Sequence, residues 1–247
     1  YIVINEVLSR FESVRNESES NKYNQWLEGV LKIPFGKFTD LDFGKADSKK
    51  FDSFFEDVRI QLDEVVYGHT EAKDTLVKYI AQMTRRYITK PKTNSKGLVI
   101  GIQGPCGNGK TTLIEKGLSK VLNLPFRTIP LGGACDSSFL KGHSYTYEGS
   151  SWGQIVDILM KTKCSNPIIY MDELDKVSDT PKGREIINNL IHVTDPSQNT
   201  HFQDRYFGNI DIDLSHVTWV FSYNDAGNIN HILRDRITEI RTGGFST

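Results

Sequence analysis

The chain has 247 residues, enough for one large domain or for a core domain with a helical appendage. Hydrophobic residues make up 38% and charged residues 25%, the composition of an ordinary globular protein. With 30 basic and 31 acidic side chains the formal net charge is −1, which excludes a general electrostatic attraction to nucleic acid or to an anionic membrane. No apolar run approaches the ~20 residues needed to span a bilayer, and the opening Tyr1-Ile2-Val3-Ile4 has no basic segment ahead of it, as a signal peptide would. Cys106, Cys135 and Cys164 contain no C-x-x-C pair, which argues against a disulfide framework or a zinc knuckle and fits a reducing, cytosolic-type compartment. The first residue is not Met, as expected of a fragment or a processed chain.

Residues 1–33 read as helical. Ile4, Val7, Leu8, Phe11 and Val14 follow helical spacing, Trp26, Leu27, Val30 and Leu31 form a second apolar cluster, and the polar stretch from Asn16 to Asn24 is expected to break the two. Pro34 and Gly36 end that pattern, and 34–48 reads as a connection rich in Gly, Asp and Lys. Helices are predicted over 49–64, with Phe51, Phe54, Phe55, Val58 and Leu62 on one side, and over 70–88, followed by a polar linker from Pro91 to Lys96. The pattern then changes to short apolar strands at 98–102, 126–129, 167–171, 217–221 and 237–240, separated by helices running to about 122 and over 151–163 and 183–193. Strands that alternate with helices and are apolar nearly throughout predict a parallel sheet covered on both faces.

Directly after the first of these strands, Gly104-Pro105-Cys106-Gly107-Asn108-Gly109-Lys110-Thr111 fits the G-x-x-x-x-G-K-[ST] phosphate loop, with Thr112 beside it. The glycines let successive backbone N–H groups turn toward phosphate oxygens, and the helix that follows adds the positive end of its dipole. Lys110 supplies a point charge for the terminal phosphates and the Thr111 hydroxyl a ligand for Mg²⁺. The competing reading, a chance glycine turn before a helix, lacks a reason for the strand–turn–helix context. Farther on, the apolar strand ending in Met171 runs straight into Asp172-Glu173. Carboxylates at the end of a buried strand need a partner. In a phosphate-loop enzyme Asp172 would hold Mg²⁺ and Glu173 would act as the base toward water; the alternative is a pair of solvated acids at a helix start. Asp175 and Lys176 read as structural or surface charges. None of the six histidines forms an H-E-x-x-H pair, so a zinc role is not expected, His143 included.

Here the sequence resembles a known family, the ATPase module of Lon proteases within the AAA+ superfamily. Leu131-Gly132-Gly133, Gly142-His143, Thr146-Tyr147, Asn166-Pro167, Asp172-Glu173-Leu174-Asp175-Lys176, Asp195-Pro196-Ser197-Gln198-Asn199, Asp213-Leu214-Ser215 and Asp235-Arg236 match the Lon pattern in order. Upstream, Leu62-Asp63-Glu64 with Tyr67-Gly68, and Trp26-Leu27 with Ile33-Pro34, resemble the approach to its core, so the likeness covers roughly residues 20–247. It implies an α/β P-loop AAA+ core with a five-stranded parallel sheet flanked by helices (49–247), preceded by an N-terminal helical segment and connection (1–48).

The resemblance also implies site roles. Asn224 matches sensor 1, where a turn residue is the plain alternative; Arg236 matches the arginine finger of a neighbouring subunit, where a salt bridge with Asp235 is the alternative. Tyr67 and Gly68 match the segment near the adenine. Tyr147 matches the aromatic that grips substrate in the pore, against ordinary packing, and Glu148 stands where Lon usually has an aliphatic residue. The expected cofactors are ATP and Mg²⁺. The expected partners are unfolded or damaged proteins and further copies of the chain in a hexameric ring, in the cytoplasm or the mitochondrial matrix, with no membrane role and nucleic acid disfavoured. The family's lid and Ser-Lys protease domain would lie beyond Gly244-Phe245-Ser246-Thr247. A DNA-remodelling or loader ATPase, or a nucleotide-binding scaffold without motor activity, is the alternative function on the same core.

Overall fold

The computed structural model describes residues 2–14, 17–40, 51–89, 96–134, 136–147 and 149–243. Five parallel strands form the central sheet: β1 (Val99–Gln103), β2 (Phe126–Pro130), β3 (Ile168–Asp172), β6 (Thr218–Tyr223) and β7 (Thr238–Arg241), in the order β2-β3-β6-β1-β7. The predicted parallel α/β architecture is therefore the observed one. Two further short strands, β4 (Phe202–Gln203) and β5 (Asp211–Ile212), pair antiparallel as a separate hairpin. Strand registers are continuous across the centre, with Val99 opposite Trp219, Gln103 opposite Tyr223, and Met171 opposite Phe221.

Side chains alternate across a strand, so each strand supplies both faces of the sheet. Ile169, Met171, Trp219, Phe221 and Tyr223 enter one core, against α8 (Gln154–Thr162) and α9 (Pro181–Thr194). Ile100, Ile102, Ile168, Tyr170, Val220 and Ile240 enter the other, against α3 (Phe51–Val65) and α4 (Thr70–Thr89). The helix after the phosphate turn also packs there. It begins as α5 (Lys110–Thr112), widens into a π-helical stretch over Leu113–Leu118 and ends as α6 (Ser119–Leu122). Gly117 lies where this helix meets α3, and a Cβ on it would stand 2.8 Å from a Leu62 methyl. The remaining helices are α1 (Ile2–Ser13), α2 (Glu17–Lys32), α7 (Ser138–Lys141) and α10 (His231–Arg234).

Two expectations at the N-terminus change. The polar stretch 16–24 is not a break for most of its length, because α2 already runs from Glu17. Glu19, Asn21, Lys22, Asn24, Gln25 and Glu28 are exposed, while Tyr23, Trp26 and Val30 recur at helical spacing on the inward side. Val7 of α1 and Val14 just past its end lie partly buried against the core, whereas Ile4, Leu8 and Phe11, read as part of the same face, are exposed. The connection at 41–48 and the linker at 91–95 fall outside the described residues.

Trp26 is fully buried in the same core as the sheet residues Trp219 and Phe221. Its truncation leaves a cavity the size of an indole, and Trp26→Ala is expected to lower the unfolding free energy by about 3–5 kcal/mol. Urea denaturation checks this; an unchanged midpoint would place α2 outside the folded unit.

Candidate functional site

The carboxyl ends of β1, β6 and β3 lie side by side, and a cavity of about 350 Å³ opens on them. It is lined by Cys106–Thr112 of the phosphate turn, by Tyr170, Asp172, Glu173 and Asp175 from β3 and its exit, and by Ser222, Tyr223 and Asn224 from β6. Lys110, Thr111, Thr112, Asp172, Glu173 and Asn224, singled out in sequences far apart, thus share one space.

Gly107 and Gly109 have φ of +73° and +85°, the left-handed region open to glycine at no steric cost, and these two residues let the chain curl into the head of α5. Lys110 Nζ donates to the carbonyls of Gly104 at 2.6 Å and Pro105 at 2.8 Å, and to Asn224 Oδ1 at 3.1 Å. Burial holds the Lys110 ammonium below the ordinary lysine pKa, opposed by the charges of Cys106, Asp172 and Asp175. Asn224 Nδ2 donates to Cys106 Sγ at 3.2 Å. Cys106 and the buried Cys164 are free thiols, and Cys135 falls outside the described residues.

Asp172 and Glu173 diverge at the end of β3. Asp172 Oδ1 accepts from Ser222 Oγ and, at 3.1 Å, from the N–H of Glu173. Glu173 adopts φ 60°, ψ 46°, a left-handed conformation that costs a non-glycine residue on the order of 1 kcal/mol. Its carboxylate lies over Gly132, where a Cβ would stand 1.9 Å from Glu173 Oε2. Asp175 is buried, and its Oδ2 accepts the N–H groups of Asn224 and Asp225, both at 3.2 Å, which ties the exit of β3 to the exit of β6. Its Oδ1 is buried without a hydrogen-bond partner among the described residues.

Asn108, expected as part of the loop, is joined here by contributors that had not been singled out. Asn108 is buried; its Nδ2 donates to Thr242 Oγ1 at 2.7 Å, and Thr242 Oγ1 donates to Gln103 O at 2.8 Å. His69, itself at φ 55°, donates through Nε2 to Asn108 O at 2.8 Å. Ser222 and Tyr170 stand under the turn, and Thr111 Oγ1 donates to Tyr170 Oη at 3.1 Å. Burial raises the Tyr170 phenol above its ordinary pKa, so it stays protonated. Their sequence signal is weak, since each is defined by a partner far along the chain.

Other expected residues lie elsewhere. Tyr67 is 89% exposed and Gly68 takes φ +74°; neither lines the cavity. Arg236 does not line it either. Its guanidinium donates to Ile191 O at 2.6 Å and Asp195 Oδ2 at 2.9 Å on the end of α9, so Asp195 replaces Asp235 as its ion partner. Tyr147 is 68% exposed, which removes ordinary packing as its alternative, whereas Tyr145 turns inward against Tyr206. Glu148 falls outside the described residues. Among the described residues no cluster of three or more His, Cys, Asp or Glu could hold a metal, and no helix is long and apolar enough to cross a membrane.

A glycine turn heading a helix at the end of a central parallel strand, beside an acidic strand end, makes this a P-loop nucleotide-binding module. Residues 100–244 match the ATPase family associated with various cellular activities (AAA), and the chain belongs to that family. It is similar to a Lon protease homolog of Acanthamoeba polyphaga mimivirus, with 36% identity over 99% of this chain and 24% of the relative. It is also similar to a Lon protease of Helicobacter pylori, with 35% identity over 94% of this chain and 27% of the relative. A human mitochondrial Lon protease homolog shares 31% identity over 98% of this chain and 24% of its own length. The chain therefore spans about a quarter of these relatives and is an ATPase module of Lon type.

Asp204 fixes the base of the Tyr147 loop. Its carboxylate accepts the N–H groups of Gly153 at 2.8 Å and Tyr206 at 2.9 Å. Burial raises its pKa to about 6, only partly offset by those bonds. In the unfolded chain the value is about 3.9. Between these limits the folded state holds the proton more tightly, so Asp204 withdraws stability as pH rises from about 4 to about 6, by about 2–3 kcal/mol in full. Asp204→Asn should flatten that part of the stability–pH profile in denaturation experiments; identical profiles would remove Asp204 as its source.

Proposed function

We propose that this chain binds ATP with Mg²⁺ at the joined ends of β1, β3 and β6 and hydrolyses it to drive the unfolding and threading of protein substrates. The observation that carries the reading is the single cavity bordered by Lys110, Thr111, Asp172, Glu173 and Asn224. Its chemistry suits the cofactor. Thr111 and Asp172 offer hard oxygen ligands, and magnesium needs only one or two from protein when phosphates and water supply the rest. When bound, the ion offsets the charge that gathers on the transferred phosphoryl group.

Each side chain has a task in this scheme. The turn from Gly104 through Pro105, Cys106, Gly107, Asn108 and Gly109 cradles phosphate with its backbone, and Thr112 supports it from the helix. Lys110 exchanges the carbonyls of Gly104 and Pro105 for phosphate oxygens. Glu173 takes the proton of the attacking water, and Asn224, already tied to Lys110 and Cys106, orients that water. Tyr67 and Gly68 border the adenine. Arg236 points away from its own cavity and acts on that of a neighbour, within a ring taken as hexameric by likeness to Lon. Residues 49–247 form the large ATPase subdomain, and 1–48 the helical segment leading into it. Tyr147, exposed on the loop anchored by Asp204, grips substrate in the pore with Glu148 beside it. Proteolysis belongs to a domain outside this chain, and the site of action is a reducing intracellular compartment.

Lys110→Ala should abolish nucleotide binding measured by calorimetry. Glu173→Gln should bind normally and lose about 10²–10⁴-fold in turnover, the scale of general-base catalysis; hydrolysis at the wild-type rate would sink the base assignment. Arg236→Ala should leave nucleotide affinity intact and cut turnover of the assembled oligomer by about 10³-fold. Normal turnover in that oligomer would exclude Arg236 from the chemistry.

A further inference from the structure

Arg236 is held in place by groups that take no part in the chemistry of its own cavity. It lies on the turn between α10 and β7, where its N–H bonds to Leu233 O at 3.1 Å. Its side chain crosses to the end of α9 and is fixed there at two points, Ile191 O at 2.6 Å and Asp195 Oδ2 at 2.9 Å. Both acceptors follow from the way α9 ends. The last four carbonyls of a helix lack a backbone partner, and Ile191 to Thr194 supply them here. The Asp195 N–H goes to His192 O, so Ile191 O is left to side chains and takes Thr194 Oγ1 at 3.1 Å beside the guanidinium. A cation at this place also meets the negative end of the helix dipole.

Asp195 is itself held by three further bonds. Its Oδ1 accepts the N–H of Ser197 at 2.9 Å and the Ser197 hydroxyl at 2.8 Å, and its Oδ2 accepts Gln198 Nε2 at 3.2 Å beside Arg236. The two oxygens thus have separate work: Oδ1 builds the turn that follows α9, and Oδ2 receives the guanidinium. A guanidinium carries five N–H donors in a rigid plane. Two are used in these bonds, and the other three have no partner among the described residues. The partly exposed group can therefore donate to phosphate oxygens without giving up either bond. We propose that Asp195 is a positioning residue for hydrolysis, which aims Arg236 at the phosphates bound by a neighbouring copy of the chain. This rests on the reading of Arg236 as the group that acts on a neighbour. An unheld arginine samples many rotamers and must be ordered before it can act; here folding has already ordered it. Misplacing a reacting group by about 1 Å can cost about 10²-fold in rate.

The test is steady-state ATP hydrolysis by the assembled oligomer of the whole chain, with kcat and KM read separately. Asp195→Asn keeps the size of the side chain and an oxygen for both Ser197 bonds, but sets an amide donor against the guanidinium. Its kcat should fall by about 10–10²-fold while KM for ATP stays where it is. A wild-type kcat overturns the proposal. In an Arg236→Ala background the same substitution should change nothing further, because Asp195 works through Arg236 alone. A second fall of kcat in that background would mark a purely structural role and overturn the proposal too. Ser197→Ala, at an exposed position, loosens the hold on Oδ1 and should lower kcat several-fold. It decides the matter if the Asn variant does not assemble, and an unchanged kcat there is again fatal to the proposal. Arg236→Ala with wild-type kcat would instead remove the reading of Arg236 itself, and the role of Asp195 with it.

Discussion

Parallel pairing of β6 between β1 and β3 brings three strand ends to one edge of the sheet, and every feature of the nucleotide site depends on that alignment. The phosphate turn leaves β1, the acids leave β3 and Asn224 leaves β6, so none of these groups meets another within its own local segment. Short polar bonds lock the ends together. The Asp175 carboxylate takes two N–H groups from the exit of β6, Lys110 reaches Asn224 Oδ1, and Ser222 holds Asp172. These bonds involve charged groups in partly buried surroundings, where each is worth roughly twice a neutral one. A slip of one residue between β3 and β6 would turn Asp172 and Ser222 to opposite faces and dissolve the site.

The two hydrophobic cores make such a slip costly. Each strand puts alternate residues into separate clusters, so a change of register would drive Trp219 and Phe221 out of the core shaped around them and into the one on the other face. The N-terminal α2 takes part in this through Tyr23, Trp26 and Val30, and is held by packing of the same kind as α8 and α9. On the opposite face α3 and α4 cover the helix that carries Lys110 and Thr111. The helical parts ahead of the first strand are thus components of the support beneath the site.

Much of this was legible in the sequence because the information was local. The phosphate turn is a contiguous pattern with glycines at the positions of positive φ, and the strands announce themselves as apolar runs of the right length. The stretch at 17–24 concealed its helix, since from Glu19 to Asn24 Tyr23 alone is buried among polar neighbours. The π-helical stretch at Leu113–Leu118 has no marker in composition. The ion partner of Arg236 was misjudged for a related reason. Asp235 adjoins it in sequence, but the turn after α10 aims the guanidinium at α9, where Asp195 waits beside the Ile191 carbonyl. Tyr170 and Ser222 were passed over because their meaning lies in contacts that only the folded sheet creates, and the bond from the loop's Asn108 to Thr242 was hidden for the same reason. Gly132 was noticed as part of a motif, yet its reason, room for the Glu173 carboxylate, is visible only in three dimensions.

The buried Asn108 amide joins two places that the chain keeps far apart. It sits inside the phosphate turn and grasps Thr242, just past the last strand, while Thr242 holds the end of β1 through Gln103. Gly104 lies so close to Thr242 that a single methyl group would collide with its hydroxyl. The turn and the backbone at Thr242 are thus one hydrogen-bonded unit. A change at Asn108 would therefore be felt first not in its own loop but at Thr242 and the end of β1, the two places its amide ties together.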